Sequence, residues 1–119
     1  MTDSSDFRHA FMMFRSVPYP AYPQLVELQD WNSLLLTIDG HIAGYASKVH
    51  DGRMRAQDVP NLDQLILEVS SLGSSLDQIE PVTDEDRQSI GDYRSYVAAL
   101  GRMVSELGGL ADQERRSTD

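Results

Sequence analysis

Residues 61–80, NLDQLILEVSSLGSSLDQIE, and residues 83–110, TDEDRQSIGDYRSYVAALGRMVSELGGL, decide the fold. In the first stretch Leu62, Leu65, Ile66, Val69, Leu72, Leu76 and Ile79 recur at helical spacing, which marks one apolar face. Asn61 stands where a helix cap belongs, with Gln64 three residues on, and Pro81 stops the run. In the second stretch Ile90, Tyr93, Val97, Leu100, Val104, Leu107 and Ala111 form the stripe, widened by Tyr96, Met103 and Leu110. Thr83 is the expected cap. Asp84, Glu85 and Asp86 follow it in the first turn, where the helix macrodipole favours anions. Gly108-Gly109 is expected to end or weaken this helix, leaving residues 111–119 as a polar tail.

Upstream, from Gln24 to about His50, Leu28, Trp31, Leu35, Ile38, Ile42, Tyr45 and Val49 make one continuous helical stripe. A rival reading exists, because Asp39-Gly40 between two apolar runs is a hairpin signal. The gapless stripe and the Leu/Ala-rich composition favour the helix, at a cost of roughly 1 kcal/mol for each of Gly40 and Gly44. Those glycines share a face on which another helix can approach. Residues 51–60 read as a loop. Residues 1–23 read as an irregular lead-in, in which Pro18, Pro20 and Pro23 alternate with Tyr19 and Tyr22. Each proline removes a donor and extends its predecessor, so the segment should cross a surface and lay its rings on a core edge. The expected architecture is all-α: a small antiparallel bundle of about three main helices over residues 24–110, completed by dimerisation.

The bulk composition narrows the function. A chain of 119 residues makes one domain with a core of its own. With no cysteine it has no disulfide, zinc thiolate or thiol nucleophile. Nineteen acidic side chains against ten basic ones give a net charge of −9, which argues against direct nucleic-acid binding and favours basic partners. No apolar run is long enough for a membrane span and the N-terminus lacks a signal-peptide pattern, so the expected location is cytoplasmic.

Motifs for chemistry are scarce. His9, His41 and His50 lack metal spacing, no serine sits in a glycine-flanked elbow, and no phosphate-binding glycine loop is present. Carboxylates on helices remain, and adjacent helices that converge four of them can hold Mg²⁺. LILEVSSLGSSL followed by SIGDYRSYVAALGRMVSELG resembles the motif helices of the MazG-like all-α nucleoside triphosphate pyrophosphohydrolases. The resemblance spans roughly Trp31 to Leu107. In that family Glu-Glu-x-x-Glu on one helix and Glu-x-x-Asp on the next hold Mg²⁺ for attack on an NTP. It implies Glu68 and Asp92 as metal ligands, with Glu85 as a substitute one turn before Ser89 on the same face. Leu67, Ser71 and Ser89 occupy the other acidic positions, so the metal site is depleted. The implied function is a non-catalytic nucleotide-binding bundle or a dimeric interaction scaffold, with no cofactor, or Mg²⁺ if the remaining carboxylates suffice. The alternative is an acidic helical protein-binding module of the antitoxin, immunity or inhibitor type, without enzymatic ancestry.

Overall fold

A computed structural model describes residues 4–117. It contains four α-helices, α1 (Ser4–Ser16), α2 (Val26–His50), α3 (Leu62–Leu76) and α4 (Asp84–Ser117), and a short 3-10 turn at Ala56–Asp58. Among the described residues there is no strand. The molecule measures 53 × 24 × 22 Å, a length set by α4, whose 34 residues span about 51 Å at the helical rise.

The hairpin alternative fails, because α2 runs unbroken through Asp39 and Gly40. Its stripe buries Leu28, Trp31, Leu35 and Ile42, and burial of that stripe outweighs the two glycines. A Cβ at Gly40 or Gly44 would meet nothing within 4 Å, so the close helix approach expected there does not occur. Helix α3 buries Leu62, Leu65, Val69, Leu72 and Leu76, as its pattern dictates. Asn61 precedes it in a left-handed conformation (φ 55°) and makes no side-chain cap, so the capping role expected of it is not met. The α4 cap is built as expected. The Asp86 N–H donates to Thr83 Oγ1 (3.1 Å), while the Asp86 carboxylate accepts the Val82 and Thr83 N–H groups (3.0 and 3.1 Å).

Two expectations about the ends are corrected. The lead-in is not wholly irregular, since Ser4–Ser16 forms α1 and buries Phe7, Ala10, Phe11 and Phe14. Only four apolar positions inside a polar, Met-rich sequence carry that stripe, too few to separate it from a loop. The polar tail from 111 is also helical, because α4 continues through Gly108-Gly109 to Ser117. Ala111 is fully buried and the Glu114 carboxylate accepts the Gln57 N–H (2.9 Å), which holds this end on the loop after α2. Tertiary contacts thus override the weak local propensity.

The segment between α1 and α2 is a strap. The Tyr19 hydroxyl donates to Asn32 Oδ1 (2.5 Å), and its ring meets Tyr96 edge-on at 4.9 Å. Asn32 Oδ1 also accepts from the Tyr93 hydroxyl (2.9 Å), so a buried amide oxygen is doubly satisfied. Trp31 packs edge-on against Tyr93 and donates its indole N–H to the Leu72 carbonyl (3.0 Å), joining α2 to both motif helices. None of the helices is long and apolar enough to cross a membrane among the described residues.

Candidate functional site

Helices α3 and α4 run antiparallel with glycines at their seam. A Cβ added at Gly101 would stand 3.5 Å from Val69, one at Gly73 would stand 3.9 Å from Val97, and one at Gly108 would stand 3.0 Å from Ile66. Arg94 closes the seam on Asp77 at 3.0 Å, an exposed pair that fixes geometry more than stability.

That register separates the two carboxylates singled out by sequence. Glu68 adjoins Val69, which sits level with Gly101. From Asp92 to Gly101 is about 14 Å along the α4 axis at the helical rise. The two acids also point to different flanks. Asp92 lies one turn before Tyr96, which packs on Phe14 of α1, on the side of α4 away from α3. Glu68 lies on the other side of α3, in the groove facing α2. Asp92 accepts from Gln88 (3.0 Å) and Glu68 from Gln64 (3.4 Å), each within its own helix. Glu85 is exposed and shares the Asp92 flank. Ser89 is half-buried beside it, while Ser71 is exposed and Glu68 half-buried. Among the described residues no three His, Cys, Asp or Glu side chains gather to hold a metal ion. The donor set for Mg²⁺ implied by the resemblance therefore does not come together.

A different arrangement lies on the outer face. Between α2 and α3 an open groove of about 260 Å³ is lined by Leu34, Ile38, Gln64, Leu67, Glu68, Ser71 and Ser75. Leu34 and Leu67 are 61% and 62% exposed, so two large aliphatic side chains flank the groove in water. Leu67 is the residue that the resemblance set at the first acidic position of the motif. In the groove it is an apolar contact. The periodicity of α3 leaves Leu67 outside the buried stripe, and that mismatch is the signal by which sequence alone could have found it.

A second polar cluster went unnoticed in the sequence. Asp39, half of the hairpin signal that the helical stripe outweighs, is half-buried and accepts the Tyr96 hydroxyl at 2.6 Å. Burial pushes its carboxyl above the ordinary value, and the Tyr96 hydrogen bond opposes that shift. The Tyr96 hydroxyl is raised chiefly by burial and further by Asp39, and Tyr19 is raised by burial and by Tyr93 and Asp39. The Asp39–Tyr96 bond ties α2 to α4, and the Tyr19–Asn32 bond ties the strap to α2.

Compared with known protein families, curated proteins and solved structures, the chain shows no match.

Proposed function

We propose that the chain is a non-catalytic, acidic helical interaction module whose binding face is the groove between α2 and α3. One observation carries this reading: Leu34 and Leu67 stand mostly exposed on either side of an open trough, in a chain that buries most of its other leucines. Large aliphatic side chains grouped on a surface cost solubility and mark contact sites. The reading keeps the helical-bundle part of the MazG-like resemblance. It assigns neither nucleotide nor Mg²⁺ to the chain, because Glu68 and Asp92 lie on opposite flanks of the helix pair and are far apart along it.

Selection from a library of random helical peptides tests the proposal. Binders are expected to lose roughly tenfold or more in affinity for the Leu67→Asp protein, on the scale of a buried anchor. They should keep their affinity for Val82→Asp, a substitution at a still more exposed apolar residue away from the groove. A selection that returns no binder, or binders indifferent to Leu67→Asp, overturns the proposal.

A further inference from the structure

The groove has a shape and a charge that select its occupant. On α3 it runs from Gln64 to Ser75, about 16 Å at the helical rise, the length of a three-turn helix. Leu34, Ile38 and Leu67 offer apolar contacts, while Ser71 and Ser75 are short and leave room for a backbone to come close. Leu34 and Ile38 stand one turn apart on α2 with Leu67 across from them on α3, an arrangement that a helix laid in the groove meets with apolar side chains at i and i+3 or i+4.

The charge is one-sided. Along α2 and α3 stand Glu27, Asp30, Asp39, Asp63 and Glu68, opposed by Lys48 alone among Lys and Arg. Asp39 is turned inward to Tyr96. Asp30 lies one turn before Leu34 on the same face of α2, and Glu68 follows Leu67 and lines the groove. Lys48 lies in the last turn of α2, about 21 Å from Leu34 along the helix at the helical rise. Asp30 and Glu68 therefore set two carboxylates beside Leu34 and Leu67 with no Lys or Arg of α2 or α3 next to them.

From these observations we infer that the groove receives an amphipathic α-helix of another protein, with Lys or Arg flanking its apolar stripe. The inference rests on the reading of the groove as the interaction face and adds the chemistry of what fills it. A second copy of this chain, the homodimer expected from sequence, fits less well. A two-fold axis through the groove pairs Leu67 with its own copy and sets Glu68 near Glu68, so like charges oppose.

Two synthetic peptides of about 18 residues, with one shared leucine stripe and either lysine or glutamate flanks, test this on the full chain by fluorescence anisotropy. At low salt the lysine peptide is expected to bind roughly tenfold more tightly than the glutamate peptide, with the advantage shrinking in high salt. The double substitution Asp30→Asn with Glu68→Gln should erase most of the advantage, and Leu67→Asp should weaken both peptides. Unchanged far-ultraviolet circular dichroism checks that these variants fold. Equal binding of the two peptides overturns the charge inference while the groove reading stands. If neither binds but the protein dimerises and Leu67→Asp makes it monomeric, the occupant is a second copy and the inference falls. If neither binds and the protein is monomeric, both readings fall.

Discussion

The two flanks of α3 are built from similar residues and end in opposite states. Toward α4, small residues face branched aliphatic ones: Gly101 meets Val69 and Gly108 meets Ile66, and the helices close on each other. Toward α2, Ser71 and Ser75 are small too, but Leu34 and Leu67 stay largely in water beside them, and the surface remains open. A small residue makes a tight seam only when the partner helix places a large one opposite. Without that complement it makes a groove. The acidic residues divide in the same way, with Glu68 on the open flank and Asp92 on the far side of the closed one.

Substitutions on either flank can break this contrast. The largest expected effect is at Leu76, which is almost fully buried in the core beneath both flanks. Leu76→Ala should cost about 2–5 kcal/mol, read from urea unfolding. A cost well below that range would mean the core is looser than its burial implies. On the closed flank, Gly101→Leu forces a side chain against Val69 and should cost about 1–3 kcal/mol. A neutral result there would erase the difference between the flanks.

The α4 cap comes next. Thr83→Ala removes the oxygen that accepts the Asp86 N–H and should cost about 1 kcal/mol. This cap also sets an acid limb. Backbone N–H donation from Val82, with that from Thr83, holds the Asp86 carboxyl below its ordinary 3.8 despite burial. Its contribution is therefore complete above that value and is lost as pH falls below it. Asp86→Asn should flatten this limb of the urea midpoint against pH. Asp39 has the opposite sign. Its raised carboxyl makes ionisation oppose folding as pH climbs past the ordinary value, so Asp39→Asn should raise the midpoint near pH 7 relative to its effect near pH 3. A parallel shift at both pH values would contradict this.

Smaller effects sharpen the open side. Gly44→Ala adds a methyl into empty space on a helix surface and should stabilise by about 0.5–1 kcal/mol. Leu67→Asp should change stability by less than about 0.5 kcal/mol while removing peptide binding. A large loss of stability at Leu67 would show that the groove belongs to the core.

Much of the fold was legible because its helices obey a simple period. The stripes of residues 62–76 and 90–111 predicted the buried side chains, and Thr83 with the acids after it predicted the cap. The ends were not legible. Phe7, Phe11 and Phe14 need α4 and α2 to give their side of α1 a meaning: Phe14 packs on Tyr96 and Phe11 stacks on His50 at 4.5 Å. The stripe of α2 made Asp39 legible as a helical residue, but only the packing of α4 supplies the Tyr96 hydroxyl that it accepts.

The candidate site divides along the same line. By itself the sequence determined that this is an acidic helical chain without cysteine, and that Glu68, Ser71, Ser89 and Asp92 lie on two successive helices. Local periodicity fixes such facts, because each helix sorts its own residues by face. Only the tertiary structure decided which faces meet. The packing of α3 on α4 leaves Asp92 exposed on the side of α4 away from α3 and Glu68 facing α2, so residues close in motif spacing end far apart. The same packing leaves Leu34 and Leu67 exposed beside one groove, since rotation about a helix axis is set by what packs against it.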